Sequence, residues 1–170
     1  VATFSNLSID KVGTGYTLTA SSTGLAGGTS AGFNISPASA SKLAFTVQPT
    51  DEIAGVAISP AVQVTVRDAF DNTVTSSSAS ITMTIGTNPG GGTLSGTSTV
   101  SASGGVATFS NLSIDKVGTG YTLTAASSPL TGATSAGFNI TPAAASRVAF
   151  TAQPSSATAG VAISPAVQVT

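Results

Sequence analysis

Apolar side chains alternate with polar or small ones along much of the chain, at the two-residue period that is typical of β-strands. The alternation is clearest at 43–47, 62–67, 81–85, 106–114, 121–125 and 138–140. Turn-forming residues separate these runs, among them Asp71-Asn72, the stretch Asn88–Gly92, and Gly104-Gly105. The pattern therefore predicts an all-β protein of short strands, each with one buried face.

A long exact repeat divides the chain. Residues 1–20 recur unchanged as residues 106–125, and aligning 1–65 with 106–170 gives 14 mismatches, hence 51 identities in 65 positions. The period of 105 residues is the size of a single immunoglobulin-like sandwich of about 100 residues. The Pro-containing, small-residue stretches 36–41 and 141–146 are the least strand-like parts of the repeat, and we expect the unit boundaries there.

These boundaries predict a tandem array of 105-residue units. Residues 1–36, here the N-terminal segment, are interpreted as the C-terminal part of a preceding unit. Residues 37–141, the central segment, form a complete unit, and residues 142–170, the C-terminal segment, begin the following one. We therefore interpret the chain as a window on a longer polypeptide, and we expect the central segment to fold by itself.

The predicted fold is an antiparallel β-sandwich in which two sheets face each other across an apolar interior. The core positions that we predict from the alternation are Phe45, Val62, Val64, Ile81, Met83, Ile85, Phe109, Leu112, Tyr121, Leu123 and Phe138. Tyr121, preceded by Asp115 and Gly118, is also placed for a tyrosine corner, in which the hydroxyl bonds to backbone a few residues upstream.

Several motifs resemble those of the bacterial immunoglobulin-like repeats found in invasin-like and intimin-like adhesins and other large surface proteins. They are AVQVTVRDAFDNTVT at 61–75, SITMTIG followed by GGGTLSG at 80–96, GGVATFSNLSI at 104–114, and GTGYTLTA at 118–125. The resemblance covers the whole 105-residue unit in strand order. It implies an immunoglobulin-like fold and a place at the outer surface of a bacterial cell.

Composition excludes several classes of function. Charged residues are 6% of the chain, against roughly 25% in an average soluble domain, whereas Ser and Thr supply 53 positions. The net charge is −1, and the cations are scattered singly along the chain, so we expect no nucleic-acid partner. The chain has neither Cys nor His, which excludes thiol nucleophiles, imidazole bases and Cys/His zinc sites. We therefore predict no enzyme activity, catalytic residue or bound cofactor.

Two weak catalytic patterns have plainer interpretations. Ser8 and Lys11, like Ser39 and Lys42, fit a Ser-x-x-Lys element, but that chemistry needs a helix and further motifs, whereas strand and linker are predicted here. We expect a turn or a solvated edge instead. The adjacent carboxylates at 51 and 52 would point to opposite faces of a strand, and their counterparts in the second copy are Ser and Ala, so solvation in a loop is expected.

The densest group of oxygen ligands leaves an alternative open. Asp68, Asp71 and Asn72, with Asp115, could meet a calcium ion near a domain end, since calcium takes six to eight oxygen ligands. Asp and Asn are also ordinary turn residues, because their side chains bond to nearby backbone. We favour the structural turn and assign no metal site.

Four Asn-x-Ser/Thr sequons, at Asn6, Asn34, Asn111 and Asn139, would carry glycans if the chain were secreted where a suitable transferase acts. Chance is the competing explanation in a chain so rich in Ser and Thr.

The leading functional hypothesis is a non-catalytic structural repeat, part of an extracellular adhesin stalk or surface fibre whose partners are neighbouring units. No apolar run is long enough to span a bilayer, so we expect no membrane insertion in this segment. One alternative is a filament subunit completed by strand exchange between chains. Another is a module that binds a glycan or a host receptor through loops such as 86–96.

Overall fold

The structure is a computed structural model that describes residues 1–170. It is all-β, with 18 strands in several sheets and no helix, as the alternating pattern predicts. No helix of the length and apolarity needed to cross a bilayer is present.

The central segment holds twelve of the strands. In chain order they are β5 (Lys42–Val47), β6 (Glu52–Ile53), β7 (Val62–Arg67), β8 (Ser80–Ile85), β9 (Leu94–Ser95), β10 (Thr99–Ser101), β11 (Val106–Phe109), β12 (Ser113–Ile114), β13 (Gly118–Tyr121), β14 (Leu123–Ser127), β15 (Leu130–Thr134) and β16 (Phe138–Thr141). The N-terminal segment holds β1 (Gly13–Tyr16), β2 (Thr19–Ser22), β3 (Leu25–Thr29) and β4 (Phe33–Ile35). The C-terminal segment holds β17 (Phe150–Ala152) and β18 (Gln168–Val169).

Strands of the central segment make three sheets. The largest has seven strands in the order β10-β8-β14-β15-β5-β7-β11 and nearly closes on itself; β13-β16-β6 form a second sheet and β12-β9 a third. The prediction of a wholly antiparallel arrangement is wrong at two pairs, because β15 runs parallel to β5 and β16 runs parallel to β6. The reason is that the first strands of the segment lie beside its last strands and run in the same direction.

The hydrophobic core belongs entirely to the central segment, and every buried residue lies between Leu43 and Ile140. Nine of the eleven predicted core residues are buried. Phe45 and Ile85 are only partly buried and pack against the core, since Phe45 adjoins a register shift in β5 and Ile85 is the last residue of β8. The prediction also missed Ile58, which reaches the core from a turn outside any alternating run.

The two copies of the exact repeat have the same local pairing and different burial. Strands β1 and β4 pair in the register of β13 and β16, and β2 and β3 pair in the register of β14 and β15. However, Phe109 is 1% exposed in the central segment, whereas its counterpart Phe4 is 71% exposed. The cause is non-local: β11 pairs with β7, and residues 1–12 have no such strand beside them.

This contrast supplies a matched pair of substitutions. Phe109→Ala should destabilise the chain by about 3–5 kcal/mol, because it removes a buried aromatic ring, whereas Phe4→Ala should change stability by less than about 0.5 kcal/mol. Both substitutions have the same neighbours in sequence, so local propensity cancels in the comparison. The measurement is the free energy of unfolding by urea. Equal losses in the two variants would contradict the different burial of the two copies.

Candidate functional site

The side chain of Asp68, directly after β7, organises the loop that was the candidate calcium site. It is fully buried, and Oδ1 accepts hydrogen bonds from the backbone N–H of Phe70 (2.9 Å) and Asn72 (2.8 Å). Oδ2 accepts from the Asn72 side-chain amide (3.0 Å) and from the N–H of Ala38 (3.0 Å), in the Pro-containing linker. One carboxylate therefore fixes the loop and joins it to the linker.

These hydrogen bonds decide the ionisation of Asp68. Burial on its own would raise the pKa, but hydrogen bonds from the Asn72 side chain and from the N–H groups of Asn72, Ala38 and Phe70 outweigh it and lower the pKa to about 2. The carboxylate thus stays charged at any pH near neutrality. The turn predicted at Asp68–Asn72 is confirmed by the bonds that this charged group accepts.

Asp71, at the tip of the same loop, lies against two cations. Lys42 and Arg67 are directly opposite each other on β5 and β7, and like charges in such a pair repel. Asp71 Oδ1 is 2.9 Å from Lys42 Nζ and 3.6 Å from Arg67 Nη1. The hydrogen bond from Lys42, helped by the charges of both cations, lowers the pKa of Asp71. Asp71 also has φ of 68°, in the left-handed region that Asp and Asn tolerate best among residues with side chains.

The loop holds the N-terminal segment against the central one. The Asn72 amide donates to the carbonyl of Asp10 (2.7 Å), and its oxygen accepts from the N–H of Val12 (3.2 Å). The amine of Lys11 donates to the carbonyl of Phe70 (2.8 Å). We call this contact, residues 10–12 on residues 68–72, the junction.

The oxygen atoms of this loop are committed to partners within the chain. Each oxygen of Asp68 accepts two N–H groups, and Asp71 faces two cations. Asp115, the fourth candidate ligand, accepts from the N–H of Thr93 (2.7 Å). No three acidic, His or Cys side chains are grouped as a metal would need. The arrangement can hold backbone in place, and it offers calcium no ready set of ligands.

The other polar candidates also have structural partners. The amine of Lys11 bonds to Phe70 and that of Lys42 to Asp71, so neither amine contacts the Ser three residues before it. Asp51 is exposed in the loop before β6, as expected, and it also has a structural partner. Its carboxylate accepts from the backbone N–H (2.7 Å) and the side-chain amide (3.0 Å) of Asn139, because the parallel pairing of β16 with β6 brings them together.

The four sequons differ in how far their amides are engaged. Asn139 bonds to Asp51, Asn111 bonds twice to Thr97, and Asn34 accepts from the N–H of Gly15. Asn6 is exposed and makes no side-chain hydrogen bond. Glycosylation at these sites stays a prediction, and Asn6 is the sequon where a glycan would disturb the fewest contacts.

The loop proposed for ligand binding is tied to the core. Asn88 donates to the carbonyl of Gly92 and accepts from its N–H, so the turn is closed by its own side chain. A Cβ at Gly90 would meet the Val117 carbonyl and the Tyr121 hydroxyl. That hydroxyl donates to the carbonyl of Lys116 (2.9 Å), which confirms the predicted tyrosine corner. The turn at Asn88–Gly92 is therefore closed by its own hydrogen bonds, while most residues of the loop are exposed.

Sequence reasoning missed the junction. Loop residues 68–72 were recognised as polar, but their contact with residues 10–12 spans about sixty positions and has no local signature. The available signal was the repeat itself, since Asp10-Lys11-Val12 recurs as Asp115-Lys116-Val117.

The Asp68 carboxylate predicts how stability depends on pH. Its pKa in the folded chain is about 2, below its ordinary value of 3.8, so its stabilisation is complete above 3.8 and is lost as the pH falls from 3.8 through about 2. Asp68→Asn should lower the unfolding temperature at neutral pH, because an amide nitrogen would face an N–H donor. It should also flatten the acid limb of the unfolding temperature plotted against pH.

The control for that experiment is Asp10→Asn. The Asp10 carboxylate is exposed and accepts no hydrogen bond, so this variant removes the same charge without altering the loop. An acid limb that is as steep in Asp68→Asn as in Asp10→Asn would show that Asp68 is not its source.

No protein-family model matches the chain, and no curated protein matches it significantly. A function must therefore be argued from the fold, the junction and the repeat.

Proposed function

We propose that the chain is a non-catalytic structural module, part of an array of immunoglobulin-like sandwiches that forms an extracellular stalk or fibre at a bacterial surface. The observation that carries the proposal is the junction, in which residues 68–72 bind residues 10–12 of the N-terminal segment. Asp68 fixes the loop from within the central segment, and Asn72 and the Phe70 carbonyl then bind residues 10–12, so the loop serves to connect the two segments.

The direction of the strands supports an extended array. The central segment enters its large sheet at Lys42, beside Thr131, and its last strand ends at Thr141, beside Ile53. Ile53 lies eleven residues beyond Lys42, so at about 3.3 Å per residue the entrance and exit are at most about 35 Å apart. We infer that the two ends lie at opposite poles of the unit, which would string successive units out in line.

The repeat supplies the same connector at the exit of the central segment. Asp115-Lys116-Val117 has the sequence that docks at residues 10–12, and all three residues are exposed. Lys116 donates no hydrogen bond and makes no ion pair, whereas its counterpart Lys11 bonds to Phe70. A following unit with its own Asp68-type loop would dock there, so each junction would repeat the last.

The surface chemistry fits a passive role. With 6% charged residues and 53 hydroxyl side chains, the surface is hydrated mainly by Ser, Thr and backbone. Each candidate for chemistry in the central segment, from Asp51 to Asp115, is engaged in a structural hydrogen bond or ion pair. The resemblance to adhesin repeats is the basis for placing the chain outside the cell.

Scattering from two central segments joined in series tests the array. We expect the maximum dimension to exceed that of one central segment by roughly 30 Å, because entrance and exit are at opposite ends. A pair that folds back side by side, with little increase in length, would contradict a stalk.

The junction itself is tested with two identical lysines. Lys11→Ala removes the bond to Phe70, which at about 1 kcal/mol should raise hydrogen exchange at the Val12 amide roughly fivefold. Lys116→Ala changes the same residue type in the same sequence context where no bond exists, and should leave that amide unchanged. If exchange at Val12 were insensitive to Lys11→Ala, the junction would not hold the segments together.

A further inference from the structure

We propose that successive units of the array meet through an apolar contact as well as through the polar junction, with the ring of Phe70 in each unit packed against Val56 and Val117 of the unit before it. The inference rests on the proposed array and deepens it, because it names the surfaces that adjoining units bury and the residue that fills the joint.

The exposed apolar side chains of the central segment are concentrated at its two ends. Only four of its large hydrophobic side chains are exposed: Ile53, Val56, Phe70 and Val117. Phe70 lies in the loop that makes the junction at the entrance, and the other three lie at the exit. Single hydrophobic residues scattered over a surface need no explanation, but these four are confined to the ends through which units would connect.

At the exit, hydrogen bonds hold Val56 close to residues 115–117, here the connector. Residues 53–56, the exit turn, are closed by a hydrogen bond between their own ends (3.0 Å). Two N–H groups within the turn donate to the carbonyls of Ile114 (2.8 Å) and Thr141 (2.9 Å). Ile114 directly precedes the connector, and Thr141 is the last residue of the unit. The exit turn, with the exposed Val56, therefore lies beside the connector.

At the entrance, Phe70 occupies the complementary position. Its carbonyl accepts from Lys11 (2.8 Å) within the junction, while its ring is exposed. Residues 10–12 are the counterpart of the connector, and Ile9 is the counterpart of Ile114. The exit turn of a preceding unit would therefore bond to Ile9, directly before the residues that the Phe70 carbonyl holds. The ring and that exit turn adjoin the same short stretch of chain, and packing them together removes apolar surface of both from water.

The repeat distinguishes the exit residues that recur from one that does not. Val56 recurs as Val161, and the connector is identical in both copies, so its valine recurs as well. Ile53, by contrast, is replaced by Thr158. A contact that is made by every unit must therefore depend on Val56 and on the valine of the connector, and it cannot depend on Ile53.

The two kinds of contact together would fix the angle between units. The junction consists of three hydrogen bonds to a single extended stretch of three residues, and a unit held by these alone could turn about that stretch. A ring packed on the exit turn adds a contact to one side of it. Neighbouring units would then keep one orientation.

The test uses the full chain with residues 37–141 duplicated in tandem, which keeps the Thr-Pro step of 141–142 at the new joint. The readout is hydrogen exchange at the Val117 amide of the first copy, the counterpart of the Val12 amide that donates to Asn72. Phe70→Ala in the second copy should raise this exchange about tenfold, because it removes the apolar contact across the joint. The same substitution in the first copy, which no exit turn precedes, is the matched control and should leave the exchange unchanged.

Substitutions at the exit of the first copy test the other side of the contact. Val56→Ser should raise the exchange by a similar factor, and adding Phe70→Ala in the second copy should then change it little, because the two substitutions remove one shared contact. Ile53→Thr, which introduces the residue that the repeat has at this position, should have no effect.

Exchange in the unsubstituted tandem chain separates this inference from the proposed function. A Val117 amide of the first copy that is wholly unprotected would overturn both, since the junction would not form. Protection at this amide that responds equally to Phe70→Ala in either copy, or effects of Val56→Ser and Phe70→Ala that multiply as independent changes do, would overturn the apolar contact and leave the array standing.

Discussion

The structure depends on pairing between strands that are distant in sequence. Strand β7 is bonded on one side to β5, twenty residues earlier, and on the other to β11, some forty residues later. The twenty-residue sequence that fills the core at 106–125 has these partners, whereas the same sequence at 1–20 lacks them and is exposed to solvent. Burial of Phe109, Leu112 and Leu123 contributes on the order of 1.5–3 kcal/mol each to stability. This contribution requires the partner strands, because without them the side chains are not buried.

Polar contacts join the packed central segment to the N-terminal segment. Asp68 is buried and charged, and its four hydrogen bonds fix a loop whose outer side is then free to bind other parts of the chain. Asn72 is the pivot, since its amide donates to Asp68 on one side and to Asp10 on the other. In this weakly charged chain, both ion pairs are made by one residue of this loop, Asp71, with Lys42 on β5 and Arg67 on β7.

The sequence predicted the local features and missed the distant ones. Alternation located the long strands β5, β7, β8 and β11, and the Asp and Asn residues correctly indicated a turn at 68–72. Two-residue strands such as β6 and β12 are too short for a period to show, and nothing local distinguishes parallel from antiparallel neighbours. A local prediction gives the same result for Phe4 and Phe109, because their neighbours in sequence are the same. Their different burial depends on non-local strand pairing, and the contact of Lys11 with Phe70 is likewise non-local.

The parallel pairing of β16 with β6 also governs which copy of the repeat can fold onto the central strands. The counterpart of Thr141 in the N-terminal segment is Ser36, which lies only six positions before Lys42, a contour length of about 20 Å. To replace residues 106–141, that segment would have to place Ser36 beside Ile53, eleven residues along the chain from Lys42. The linker is shorter than that path, so it acts as a tether that disfavours replacement of residues 106–141 by the N-terminal segment of the same chain.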